Sequence, residues 1–386
     1  MQELFQGVID FGVHWWQYLL MYAIGGTLIY LAIKKDYEPM LLLPIGLGAI
    51  LVNLPLSAVW TMEGGYNYAQ ADGVLGIFFN AGIMTEIFPV LIFVAVGAMI
   101  DFTPLLRDPK MIFFGAAAQF GIFFTIIAAM LLKFPLKEAA SIGIIGAADG
   151  PTSIFVASRF AQDLLGPITV AAYSYMSLVP VIMPPVIKAL TTKKERMIRM
   201  ENKGKPIPRM VLILFPIMIT VISGIIAPIS VPLIGLLMFG NLIRECLVLD
   251  KLSKAAQNEL SSLVTLLLGI TIGASMHFSK FLTLQTVGIM CLGLVAFIFD
   301  VAGGVLFAKL FNVFSKNKVN PMIGAAGISA FPMASRIVQK LAKEEDPYNF
   351  ILMPAVSANV AGQLGSVVAG GMVLALVPWL LSLLSL

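Results

Sequence analysis

Charge is what this 386-residue chain has least of. Asp, Glu, Lys and Arg together make up 12 % of it, against about a quarter of a typical soluble domain. Hydrophobic residues make up 59 %, and the mean hydropathy is +0.93. This excludes a water-soluble globule. It predicts an all-α polytopic membrane protein, since helices satisfy their own backbone in lipid. At about 20 apolar residues per crossing, there is room for about nine to eleven membrane segments. Cysteine is as scarce: Cys246 and Cys291 are the only two, too few for a disulfide framework or a thiolate metal centre. The only histidines, His14 and His277, are too far apart in sequence to suggest a His-ligated metal. The first residues carry Glu3 and Asp10 instead of the basic start of a cleavable signal. No G-x-x-x-x-G-K-[ST] loop occurs, so ATP hydrolysis by this chain is not expected. The net charge of +4 gathers in loops and does not suggest nucleic-acid binding.

The few charges present set an expected topology. The stretch 191–209 carries seven Lys/Arg against two Glu, which marks a cytoplasmic loop. Lys34 and Lys35 follow the first span and place the amino terminus outside. The loop 57–86 holds three acids and no Lys or Arg, and so lies outside. Arg107 and Lys110 mark the next inside loop, and a span at 111–132 then leads out to Lys133–Glu138. The span at 167–190 must run inward to reach the basic loop. Segment 139–158 therefore begins and ends outside, which a straight helix cannot do. A re-entrant or helix-broken hairpin, bent near Gly146–Pro151, can.

The halves also resemble each other. Asn53 aligns with Asn241, Gly97 with Gly273, and Gly146 with Gly324, in the same order. The topology puts equivalent segments on opposite sides, which is an inverted repeat, and that architecture places a site where two broken segments meet near the midplane. The chain divides into an amino-terminal span (1–38), a first repeat (39–190), the basic loop (191–209) and a second repeat (210–386).

Asp149 is the only formal charge in the apolar run 141–158. A charge at membrane depth costs at least ~2.5–3.5 kcal/mol, so it normally lines an ion or water path. Gly146, Gly150 and Pro151 weaken the helix around it and free carbonyls to act as ligands. In the second half, Gly324, Gly327 and Pro332 interrupt the run that begins at Asn320. There Asn320, Ser329 and Ser335 offer neutral oxygens of the kind hard cations accept. Arg336 ends an uncharged run. It is either an interfacial, positive-inside residue or an anchor for a carboxylate, which a guanidinium holds with two bonds. Asn359, Gln363 and Ser366 fall on one helix face. Tyr173 and Tyr175 follow Asp149, and a packed tyrosine with a satisfied hydroxyl is the plain alternative for either. Asp300 and Lys309 are further intramembrane or boundary charges.

Several longer stretches are distinctive: Ile144-IGAADGPTSIF, Ala171-AYSYMSLVP, Asn320-PMIGAAGISAFPMASR and Ser357-ANVAGQLGS. They resemble the beta subunit of the biotin-dependent, sodium-pumping decarboxylases acting on oxaloacetate, methylmalonyl-CoA and glutaconyl-CoA. The similarity runs along nearly the whole chain, and the segment at Met353 looks closer to the glutaconyl-CoA type. The resemblance implies a membrane subunit that removes CO2 from carboxybiotin and exports Na+ while consuming a proton. It implies Na+ ligation by Asp149 and Asn359, with Asn320 and Gly324 contributing. Catalytic roles fall on Asp149, Tyr175, Ser329 and Arg336, with Tyr175 and Arg336 meeting carboxybiotin. Implied partners are a carboxyltransferase (alpha) subunit, a biotin carrier subunit and a small membrane-anchored subunit. Membrane lipid and other copies of the chain would surround it in a bacterial cytoplasmic (inner) membrane. A Na+- or H+-coupled carboxylate symporter without chemistry would fit the fold-level features equally well.

Overall fold

A computed structural model of the chain describes residues 6–57, 59–62, 71–200 and 206–384. Glu3, the stretch 63–70 of the acidic loop and 201–205 of the basic loop lie outside the described residues. Helix α1 (Gln6–Lys35) turns at Asp36 into α2 (Pro39–Val52). A two-residue ribbon, β1 (Thr61–Met62) antiparallel to β2 (Ala71–Asp72), precedes the apolar segment Val74–Met84. That segment meets α3 (Ile87–Met99) at a bend of 60°. Next come α4 (Met111–Ala117) and α5 (Phe120–Leu131), which together make one span. The first broken segment consists of α6 (Leu136–Gly143) and α7 (Gly150–Phe160), followed by α8 (Leu165–Leu190). The second half runs through α9 (Arg209–Ile226), α10 (Val231–Glu245), α11 (Ser261–Ala274) and α12 (Leu284–Phe314). It ends with the second broken segment, α13 (Met322–Ala325) and α14 (Met333–Glu345), and then α15 (Leu352–Leu384).

Among the described residues, seven helices are long and apolar enough to cross a bilayer, or eight if the bent pair counts as one span. The sequence-based expectation of nine to eleven segments also takes in shorter pieces. Helices α2, of 14 residues, and α10, of 15, fall below the length of a full crossing, and the two broken segments are short by construction.

The halves are tied together reciprocally. Asn53, at the end of α2, donates to the Met276 carbonyl (2.9 Å) and accepts the Phe278 N–H (2.8 Å) beyond α11. Its counterpart Asn241, on α10, donates to the Ile100 carbonyl (2.9 Å) beyond α3. Helix α2 crosses α11 at Gly48 and Gly273, and α3 crosses α10 at Gly97 and Gly240. A Cβ at any of these four glycines would strike the facing backbone. Such small-residue crossings let helices pack by close van der Waals contact where lipid gives no hydrophobic drive. The same contact made twice, with the halves exchanged, is compatible with a pair of structural repeats.

Both ends of each broken segment lie on one side. At the first, Gln285 at the start of α12 donates to Glu138 (3.3 Å), and Gly166 at the start of α8 sits against Ser275. Arg159, near the end of α7, is held by Glu86 through two bonds of 2.6 and 3.1 Å. At the second, Asn320 donates to the Arg196 and Ile198 carbonyls (2.8 and 2.9 Å). Glu345, at the far end of α14, pairs with Arg196 at 2.7 Å. The first hairpin thus enters from the acidic-loop side and the second from the basic-loop side. Lys309 is a boundary charge, paired with Glu195 of the basic loop at 3.2 Å.

Candidate cation site

The two hairpins meet tip to tip. In the first, α6 tightens into a 3-10 turn over Ile144–Ala147, Ala148 adopts the left-handed conformation (φ 52°) and Asp149 is extended. Asp149 is therefore the N-cap of α7, with Gly150 and Pro151 opening the helix. Proline costs nothing there, because its missing N–H would have been unpaired anyway. In the second hairpin the turn 326–332 brings Ser329 against the first, and its N–H donates to the Ala147 carbonyl at 3.1 Å.

Helix α15 closes the remaining side. Its face at i, i+4 and i+7 presents Asn359, Gln363 and Ser366. Asp149 Oδ2 accepts from the Ser366 hydroxyl (2.6 Å) and the Gln363 amide (3.2 Å), while Oδ1 accepts the Thr152 N–H (3.2 Å). Asn359 donates to the Ile328 carbonyl (2.7 Å), and the Ser329 hydroxyl donates to the Gly362 carbonyl (3.2 Å). These contacts need glycine at 362, where a Cβ would collide with the Gly327 carbonyl. The Asp149 residue is 4 % exposed, and among the described residues no Lys, Arg or His pairs with it. Two buried oxygens of this region, Asn359 Oδ1 and the Tyr173 hydroxyl, have no hydrogen-bond partner among the described residues. One carboxylate amid neutral oxygens is the donor set of a hard cation.

A cavity of about 210 Å³ reaches Asp149. Its lining includes Ala148, Asp149, Gly150, Tyr173, Ser329 and Gln363 around the helix break, and Glu38, Met99, Ser261 and Thr265 from the ends of α2, α3 and α11. Glu38 follows Lys34 and Lys35, so the cavity runs towards the basic side.

The residues nominated from sequence separate into groups. Asp149 and Ser329 line the cavity, and Asn359 braces its wall through Ile328. Asn320 and Gly324 stand elsewhere: Asn320 latches the foot of the second hairpin to the basic loop, and Gly324 abuts the backbone of Gly304 on α12. Tyr175 points away from the cavity, its hydroxyl donating to the Met290 carbonyl and its ring lying against Gly293. Arg336 is exposed on α14, and no ion pair holds it among the described residues. Tyr173, two residues before Tyr175, is the tyrosine at the cavity, its ring packed over Gly150. Gln363 and Ser366 touch Asp149 directly; their helical spacing with Asn359 is the sequence signal that points to them. Asp300 is a second buried carboxylate, with Oδ1 accepting the Ile122 N–H (3.2 Å) and Oδ2 without a hydrogen-bond partner among the described residues.

Residues 17–377 match the family described as the Na+-transporting oxaloacetate decarboxylase beta subunit. The chain belongs to this family. It is 50 % identical to the beta subunit of glutaconyl-CoA decarboxylase from Acidaminococcus fermentans, over 94 % of both chains. Identity to the beta subunit of methylmalonyl-CoA decarboxylase from Veillonella parvula is 48 %, over 92 % of both. Against the oxaloacetate decarboxylase beta chain of Klebsiella pneumoniae it is 43 %, over 92 % of this chain and 94 % of that one. Membership favours a decarboxylase subunit over a symporter without chemistry, and with the apolar helices it makes the chain a multi-pass membrane protein. As a beta subunit it works among partner subunits.

Proposed function

We propose that this chain decarboxylates carboxybiotin brought by a partner subunit and couples that step to Na+ export and proton uptake. The observation that carries the reading is Asp149: a buried carboxylate bonded only by neutral donors, where two opposed hairpins touch, at the end of a cavity. Na+ is the cargo, held by Asp149 with the neutral oxygens around it. The basic side is the cytoplasmic side of a bacterial inner membrane, so the amino terminus lies outside. Carboxybiotin, on a carrier subunit, reaches the cytoplasmic mouth, where the exposed and uncommitted Arg336 meets its carboxylate. Cleavage of the N–CO2 bond leaves the electron pair on the ureido nitrogen, which takes up the proton as CO2 departs. The proton and Na+ then use one acid in turn, because a carboxylate facing a cation favours its charged form and a desolvated one does not. Movement of the hairpins against the remaining helices exchanges the two sides.

The acyl substrate meets a separate carboxyltransferase subunit, never this chain. Comparable identities to subunits of complexes named for three different substrates fit that division of labour. A small membrane-anchored subunit and further copies of this chain complete the assembly. In reconstituted complex, Asp149→Asn should abolish Na+ uptake coupled to decarboxylation while leaving the shape of the site intact. Near-normal coupled uptake by that variant would refute the assignment.

A further inference from the structure

The part of the cavity lined from the ends of α2, α3 and α11 has a chemistry of its own. Glu38 sits there in the turn between α1 and α2, in the left-handed conformation (φ 38°). A side chain other than glycine held in that region costs of order 1 kcal/mol or more, and such strain clusters at functional sites. Its carboxylate stands at the N-cap of α2 yet makes no capping bond. It enters no salt bridge among the described residues, although Lys34 and Lys35 are four and three positions away. Burial, reinforced by the nearby charge of Asp36, pushes the Glu38 carboxyl above its ordinary pKa, as expected of an acid without a counter-cation.

Lining the same cavity from α11 are Ser261 and Thr265, one helical turn apart. Both are half-buried, whereas Thr271, fully buried later on α11, bonds back to the Leu267 carbonyl at 2.6 Å. No such bond, nor any other among the described residues, occupies Ser261 or Thr265. A π-helical turn over Ala256–Leu260 immediately precedes Ser261 and shifts the face that α11 turns to the cavity. Such π-bulges recur at functional sites.

We propose that Glu38, Ser261 and Thr265 form a second, outer station for an alkali cation, which loads the Asp149 site from the basic side. A partly hydrated Na+ would rest between one carboxylate and two hydroxyls, exchanging water for these oxygens before moving inward. The inference rests on the reading of Asp149 as the inner Na+ site, and the experiment separates the two. In the intact complex, Glu38→Gln and, separately, Thr265→Val should raise the apparent KM for Na+ roughly three- to five-fold with a smaller change in kcat, the size expected of one partly solvated charge contact. The increase for Glu38→Gln should shrink as ionic strength is raised with choline chloride, whereas that for Thr265→Val should not. Equilibrium binding of 22Na+ to the Asp149→Asn complex should retain a weak site, which Glu38→Gln added to it removes. Unchanged KM in both variants, or a fall in kcat at constant KM, would overturn the outer station. Loss of all 22Na+ binding in Asp149→Asn alone would overturn it too, while leaving the inner site standing. Decarboxylation by the wild-type complex with no dependence on Na+ would instead defeat the inner-site reading.

Discussion

At the scale of single residues, the two tyrosines after Asp149 show how neighbours on one helix come to differ. They are two positions apart and so face different directions on α8. Tyr173 lies over Gly150 with its hydroxyl unpartnered among the described residues, and Tyr175 ties α8 to α12 through the Met290 carbonyl. Removing the Tyr175 hydroxyl deletes this interhelical bond, while the Met290 carbonyl keeps its place in the α12 ladder, a loss of about 0.5–1.5 kcal/mol. Tyr175→Phe should therefore lower the thermal unfolding midpoint of the purified complex, and Tyr173→Phe should not. An equal midpoint for both variants would mean that the Tyr175 bond contributes nothing to the fold. Asp149 and Asp300 make a similar contrast. Both are buried, but only Asp149 sits at a helix break beside a cavity, among side-chain donors from another helix.

At the scale of elements, the hairpins are the unit of function, and each is defined by what ties down its two feet. The first hairpin has Glu138 and Arg159 on the side of Glu86 and Gln285. Single cysteines at Lys137 and Gln162, in a background lacking Cys246 and Cys291, should both react with an impermeant thiol reagent from the outside. Reaction from opposite faces would make 139–158 an ordinary span. The tip contact can be probed at Gly362, where an added methyl meets the Gly327 carbonyl. Overpacking a tight contact typically costs 1–3 kcal/mol. Gly362→Ala should cut Na+-coupled decarboxylation strongly while still allowing membrane insertion, and wild-type coupling in that variant would show that the tips can part without consequence.

At the scale of the whole molecule, the basic side is clamped by ion pairs. Arg199 holds Asp346 at 2.7 Å, Arg196 holds Glu345 at 2.7 Å and Lys309 holds Glu195 at 3.2 Å. The Tyr348 N–H and then Arg199 hold the Asp346 carboxyl below the usual carboxylate range. At Glu195 burial pushes upward, but hydrogen bonds from Thr192 and the nearby Lys309 outweigh it and the net shift is downward. A folded-state pKa below the unfolded value stabilises at pH above the unfolded value and loses that effect as pH falls through the folded one. Amide exchange over 191–200, corrected for intrinsic rates, should stay flat from neutrality to about pH 4, near the unfolded carboxylate values, and rise only below. Release already at about pH 6, above those values, would mean that something other than these carboxylates holds the clamp.

The sequence alone determined the features that depend on local cost. A lone acid in an apolar run, with Gly and Pro beside it, marks a candidate site, because lipid penalises a charge that has neither a path nor a partner. Unequal loop charges and the repeated Asn and Gly positions pointed to opposed hairpins, and the two broken segments are compatible with them. What remained hidden was direction. Periodicity placed Asn359, Gln363 and Ser366 on one face of α15, yet only packing decided that Gln363 and Ser366 bond Asp149 while Asn359 grips Ile328. Motif position favoured Tyr175, Asn320 and Gly324, and only the packing shows what each touches: Met290 on α12, the basic loop and Gly304 on α12. The mouth at Glu38 was also beyond reach, because it joins residues 38, 261 and 265 across more than half the chain. Local sequence fixes where a helix must break, but which side chains meet at the break depends on how distant helices rotate against each other.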